Sequence, residues 1–247
     1  MTPTPVRRRT HFPRCLVILA VLPLMGFMFL EKAFAPDADL WPRWEKFNPV
    51  SKEMIDHSLW DRFLKTYVRK DAKGVTRVAY ANLGNGGKAV LAEYLEVLGQ
   101  IPVSRIGRAE QRAYWINLYN ALTVQLIGQS YPVESIRDID DPWDTKLFEV
   151  EGEALSLNDI EHRILRPIWR DPRIHYAVNC ASVGCPNLLP LAFTGGNAGQ
   201  LLELAAHAYI NHPRGARLED GKLIVSKISG WFAEDFGGAP NSVLASL

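Results

Sequence analysis

Residues 109–127, A-E-Q-R-A-Y-W-I-N-L-Y-N-A-L-T-V-Q-L-I, are apolar around nearly the whole circumference of a helix. A surface helix carries one apolar stripe, whereas a helix apolar all round must be enclosed by the rest of the chain. The pattern predicts a buried central helix around which everything else packs. Asn117 and Asn120 are three residues apart on it and share a face. Buried amides need partners, so the pair either ties down neighbouring backbone or lines a cavity.

The remaining composition suits such a core. The chain has 247 residues, of which 47% are hydrophobic, and a net charge of +1. That excludes wholesale disorder and leaves enough chain to bury a core without staples. The 28 basic residues face 27 acidic ones, so a dedicated nucleic-acid binder is not expected. Only one long apolar run exists, which excludes a multi-span membrane protein.

That run is Cys15–Leu30, preceded by Arg7, Arg8, Arg9 and Arg14. A positive region before an apolar region reads as an export signal. Ala33-Phe34-Ala35 fits a small-x-small cleavage site, but Pro36 follows directly, and its fixed φ and missing N–H hinder a signal peptidase. Residues 1–35 are therefore either a cleaved signal peptide or an N-terminal membrane anchor with its basic end in the cytoplasm. Both outcomes place the remainder in a periplasmic or extracytoplasmic, disulfide-permissive space, anchored to the inner membrane by residues 15–30 if uncleaved. Residues 36–50, with three prolines and Trp41 and Trp44, read as a linker that docks on the domain at 51–247.

Periodicity predicts helices over 51–69, with Ser51 as cap, and over 90–98, stopped by Gly99 and Pro102. Gly84–Gly87 reads as a loop and Val75–Tyr80 as a short strand. Segments 148–150 and 154–155 form a hairpin. Ser156–Asp159 resembles a capping box that opens a helix ending near Pro167. Ile174–Val178 reads as a strand. Asn197–Ile210 reads as a helix with Leu201, Leu202, Leu204, Ala205 and Ala208 inward. Asp220-Gly221 is a two-residue hairpin turn, and Trp231–Phe236 a final helical turn. Helices mixed with scattered short strands, without regular βαβ alternation, indicate an α+β fold: a mostly helical single domain with a small sheet and hairpins.

Chemistry concentrates at R-I-H-Y-A-V-N-C-A-S-V-G-C-P-N-L. Cys180 stands where the expected strand meets a turn, and Ala181, Ser182 and Gly184 allow close approach of a substrate. A thiol nucleophile needs a base or cation to lower its pKa. His162 and His175 are the candidates; His57, His207 and His212 lack supporting context. His175 is five residues before Cys180, which on an unbroken strand puts the two on opposite faces. His162, on the preceding helix, is free to approach. Glu161 points about 100° away from His162 and orients it poorly, so Asn120 or a backbone carbonyl takes that part. Cys180, His162 and Asn120 are thus the catalytic candidates. Asn117, Glu161, His175, Ser182 and Cys185 are candidates for binding substrate. The bland alternative is a fixed Cys180–Cys185 disulfide, a core His162, and asparagines that only anchor loops. No metal or cofactor is expected, because one His and two Cys at five-residue spacing match no zinc pattern, and no phosphate loop, G-x-G-x-x-G or H-E-x-x-H is present.

The stretches Y-W-I-N-L-Y-N-A-L-T-V (114–124), L-S-L-N-D-I-E-H-R-I-L-R (155–166), residues 171–188 and W-F-A-E-D-F-G-G (231–238) closely resemble the domain of unknown function 547 family. The resemblance spans roughly residues 55–245. It implies an α+β domain distantly related to papain-type thiol hydrolases, with Asn117, Asn120, Glu161, His162, Cys180 and Asp235 at motif positions. It also favours Cys180 over Cys185, and His162 over His175. Similar proteins often continue beyond the last motif. The expected activity is a cysteine-dependent hydrolase or thiol transferase acting on a small-molecule or peptide-like substrate such as a glutathione-like conjugate. The rival expectation is a non-catalytic envelope domain, with membrane contact only through an uncleaved N-terminal segment.

Overall fold

The computed structural model describes residues 36–245. The proposed leader, with its apolar run at 15–30, lies outside them. Among the described residues no helix is long and apolar enough to cross a membrane.

The central helix is Arg108–Ser130, and every residue from Ala113 to Val124 is buried. Helix Gly84–Gly99 packs along it, Ser58–Tyr67 packs against Gly84–Gly99, and Ala198–Ile210 touches the central helix from another side. Aromatic side chains fill the contacts: Trp60 stacks on Phe63 and Tyr94, and Trp44 meets Trp115 edge-on at 5.0 Å. Strands occur only as three separate antiparallel hairpins: Val68–Lys70 with Thr76–Val78, Phe148–Val150 with Glu153–Leu155, and Ala216–Glu219 with Lys222–Val225. The turns Glu151-Gly152 and Asp220-Gly221 have positive φ at both residues, the twist a two-residue hairpin requires. The fold is a mostly helical α+β domain.

Several local expectations need correction. Residues 51–57 are not helical. Ser51 instead accepts from the Glu53 N–H, Ile55 N donates to the Glu110 carboxylate, and Met54 points to solvent. The Gly84–Gly87 run is the first turn of a helix rather than a loop. Gly87 is needed there because a Cβ would sit 2.8 Å from the Tyr67 ring. Leu204 and Ala208 face outward; Leu201, Leu202, Ala205, Ala206 and Tyr209 form the buried stripe. Residues 172–176 form a 3-10 helix, not a strand, because Pro172 fixes φ and the Asp171 carboxylate caps the Arg173 N–H.

The helix at 159–169 also departs from expectation. The capping box forms, with Ser156 and Asp159 exchanging side-chain and backbone bonds. The chain then takes a π-helical course over Asp159–Leu165, with Arg166 N donating to Glu161 O, and continues as α-helix through Pro167 to Trp169. Proline has no N–H and its ring displaces the preceding turn, so carbonyls there must find other donors. The N-terminal segment supplies them: Asp39 N donates to His162 O and Trp41 N to Arg163 O, both at 3.0 Å. This strap then turns at Pro42–Glu45 and buries Trp44 in the core.

Candidate functional site

The two motif asparagines answer the question posed by their burial. Asn117 brackets Phe193, donating to its carbonyl at 2.7 Å and accepting its N–H at 3.0 Å. Asn120 donates to Ala177 O at 2.9 Å and accepts from Asn179 N at 2.8 Å. Each ties a backbone segment to the central helix. Asn120 therefore holds the chain leading into Cys180, and orients no histidine.

Cys180 and Cys185 are joined as a disulfide, with Cα atoms 6.1 Å apart, within the usual span. The sequence reading left this open, and the bond means Cys180 carries no thiol in this form. The loop between them is held from several sides. Asn179 Nδ2 donates to Pro186 O, and its Oδ1 accepts from Ala181 N. Ala181 sits at φ 56°, a left-handed conformation uncommon for a residue with a Cβ. Tyr209 donates to Gly184 O, and Arg214 to the carbonyls of Val183 and Cys185. Cys185 is buried and Cys180 half-buried, while Ser182 at the tip is exposed. Ala181, Ser182 and Cys185 form one wall of an open cleft of about 270 Å³. Its other walls include Thr76, Tyr80 and Tyr131.

The histidines lie elsewhere. His175 Nε2 donates to Asp235 Oδ2 at 2.6 Å, and its Nδ1 faces Glu161 Oε1 at 3.7 Å. Arg166 Nε donates to the same Asp235 oxygen at 2.6 Å, and its Nη1 to Pro36 O and His162 Nδ1. Phe232 stacks on His175 at 4.3 Å and carries the Arg166 guanidinium over its ring at 4.5 Å. Burial works against the charged imidazole of His175, but its hydrogen bonds to Asp235 and Glu161 outweigh that and raise its pKa. Burial likewise opposes ionisation of Glu161, and the neighbouring His162 and His175 bring it down to about 2. Asp235 is also pulled to about 2, against its desolvation, by His175 and Arg166. His162 is pushed down, chiefly by burial. With guanidinium donating to its Nδ1, its proton belongs on Nε2.

Two cations and two carboxylates thus compensate one another, with both nitrogens of His175 engaged. None of the hydrogen bonds, ion pairs or ring contacts of His162 or His175 reaches Cys180 or Cys185. The expected Cys180–His162 pairing is therefore not assembled. Its premise also fails locally, since no strand leads into Cys180. The histidine linked to the cysteine loop, through Arg214, is His212, set aside in the sequence for want of context. Its Nδ1 accepts from Arg214 N and Nε, and its Nε2 bonds Lys73 O at 2.9 Å. The only hint in the sequence was His212-Pro-Arg214-Gly215 closing a helix. Among the described residues no group of His, Cys, Asp and Glu is arranged to hold a metal ion.

Residues 103–210 match the family described as "Protein of unknown function, DUF547". The match takes in both asparagines, Glu161, His162, His175 and both cysteines, but stops short of Arg214 and Asp235. No curated protein and no solved structure matches the chain.

Proposed function

We propose that this chain, a member over residues 103–210 of the DUF547 family, is a thiol transferase whose reactive group is the Cys180–Cys185 pair. The observation that carries the reading is the position of the disulfide, in a loop that walls an open cleft sized for a small molecule. A small thiol, glutathione-like or peptide-like, enters as its thiolate and attacks the sulfur of Cys180, the less buried residue of the pair. The Cys180–Cys185 bond breaks, a mixed disulfide forms on Cys180, and Cys185 leaves as the thiolate. A second thiolate then attacks the substrate sulfur, releasing the oxidised small disulfide and leaving the reduced pair. A mixed-disulfide substrate closes the cycle: its bond is broken by the Cys180 thiolate with release of one thiol, and the second thiol is displaced by Cys185, which restores the protein disulfide. No hydrolytic step is included, because no imidazole lies against either sulfur. Export through residues 1–35 to a periplasmic or otherwise extracytoplasmic space, with or without retention at the inner membrane, supplies the oxidising setting this chemistry needs.

The test is incubation of the oxidised chain with reduced glutathione, followed by non-reducing digestion and mass spectrometry. The expected result is one glutathione on Cys180, and turnover of a mixed-disulfide substrate that Cys180→Ser abolishes. A pair that stays oxidised in millimolar glutathione would sink the proposal.

The second reading, a non-catalytic binding domain with a fixed disulfide, is favoured by the dense anchoring of the loop through Asn120, Asn179, Tyr209 and Arg214. On that reading Cys180→Ser keeps full ligand binding and no adduct forms.

A further inference from the structure

Arg214 is a half-buried guanidinium whose hydrogen bonds all run to uncharged acceptors. Nη1 donates to Val183 O at 3.1 Å and Cys185 O at 2.9 Å, Nη2 to Asn187 Oδ1 at 2.7 Å, and Nε to His212 Nδ1 at 3.2 Å. No carboxylate of the described residues lies within ion-pair distance of it. The nearest acidic influence, Asp71, is occupied by Arg77 at 3.0 Å. A desolvated cation without a counter-charge is costly, and structural arginines normally have a carboxylate partner. This one instead lies on the backbone of a cysteine, at the edge of the cleft.

We infer that Arg214 is the positioning residue for the thiol chemistry, and that its missing counter-ion is the Cys185 thiolate of the reduced pair. The inference rests on the thiol-transferase reading. In the oxidised form the charge is held against loop carbonyls. When an incoming thiolate takes Cys180, the electron pair of the broken bond goes to Cys185, and a negative charge appears on the residue whose carbonyl the guanidinium holds. A cation next to a thiol lowers its pKa, and a lower leaving-group pKa speeds exchange. Because Arg214 also ties Val183 and Asn187, the loop keeps its shape after the bond opens, and Cys185 stays poised to re-attack. His212 completes the arrangement: with its Nε2 proton on Lys73 O, its Nδ1 lone pair is aimed at Arg214 and holds the fan of donors in place.

The experiment reduces the full chain chemically and follows iodoacetamide alkylation of each cysteine against pH, resolved by peptide mass spectrometry. In the unaltered chain Cys185 is expected to become reactive with a midpoint below the ordinary thiol value of about 8.5. Arg214→Gln should raise that midpoint by about one unit and, at a pH above both midpoints, shift the glutathione equilibrium about tenfold toward the disulfide, which corresponds to roughly 30 mV. Arg214→Lys keeps the charge while losing the fan, so it should hold the midpoint low although the loop loosens. It also serves if the glutamine variant fails to fold. A Cys185 midpoint at or above 8.5 in the unaltered chain, or one unmoved by Arg214→Gln, overturns the assignment. So does a lysine variant as high as the glutamine one. Because the thiols are generated chemically, this result is independent of whether glutathione reacts. Absence of a glutathione adduct alongside a low, arginine-dependent midpoint would defeat the transferase reading and leave the electrostatic pairing standing.

Discussion

Asp235 shows most clearly what a single side chain does here. One of its oxygens accepts from both His175 and Arg166, two cations that have almost no contact with solvent. Removing that carboxylate leaves Arg166 without a carboxylate partner and His175 with Glu161 alone, a change that costs about 3 kcal/mol or more. Asp235→Asn should therefore lower the denaturant midpoint markedly at neutral pH, while leaving the disulfide loop unaltered. Asn120→Ala acts on the other region. It leaves Ala177 O and Asn179 N unsatisfied in the interior, and should cost about 1–3 kcal/mol. Unlike Asp235→Asn, it should also speed reduction of the disulfide, read as the rate of thiol release under dilute reductant. The residue types at these positions were legible in the sequence, because an amide pair on an enclosed helix face can only bond backbone or line a cavity. Their partners were not, because Asn120 reaches a segment 57 residues away.

Element by element, the connections are set by where backbone groups run short of partners. Pro167 disturbs the turn before it, and the strap at 36–45 takes up the freed carbonyls and inserts Trp44 beside Trp115. Trp44→Ala should cost about 3–5 kcal/mol by thermal or denaturant unfolding, as truncation of a fully enclosed aromatic does. A second junction lies between helix Ala198–Ile210 and the last hairpin. A Cβ on Gly215 would meet Tyr209 O at 2.0 Å, and backbone cannot yield as a flexible side chain can. Gly215→Ala should destabilise by about 2 kcal/mol or more. It should also loosen the loop carrying the disulfide, since Tyr209 and Arg214 flank that junction. The helix boundaries at 108 and 198 were close to legible because apolar periodicity reports burial directly, whereas the start at 84 was hidden by a glycine cluster that reads as a loop. The 3-10 turn at 172–176 was misread as a strand because five apolar-rich residues carry no period that separates the two, and the Asp171-Pro172 start signal decided it.

At the scale of the whole molecule, the buried ionisable groups set how stability varies with pH. His57 is pushed down to about 4, chiefly by burial, and His162 also lies below its usual value. Both favour the folded state when neutral, so their contribution is lost as pH falls below about 6.5. Glu161 and Asp235, held near 2, contribute fully above their unfolded values and lose that contribution as pH falls from about 4.5 toward 2. His175 has a raised value, so its contribution is complete below about 6.5 and is lost as pH climbs through the folded value. The groups facing it are Glu161, Asp235, Arg166 and His162. Unfolding midpoints measured from pH 2 to 9 should trace a bell with its top near pH 6–7. His57→Gln should flatten the upper part of the acid limb, and Glu161→Gln its lower part. An acid limb unchanged in Glu161→Gln would show that this carboxyl is not held ionised by its neighbours.

The sequence by itself determined the enclosed helix, the two later hairpins, the mostly helical α+β architecture and the motifs that match the DUF547 family over residues 103–210. These follow from periodicity, turn chemistry and the necessity of burying an all-round apolar segment, which act over a few residues. Only the tertiary structure decided the partners of the histidines and of the cysteine loop. His162 and His175 went to Asp235, Glu161 and Arg166, while Arg214, held by His212, went to the disulfide loop. Such pairings depend on contacts between segments tens of residues apart, where charge balance and hydrogen-bond satisfaction in the packed interior select among partners that spacing leaves equivalent.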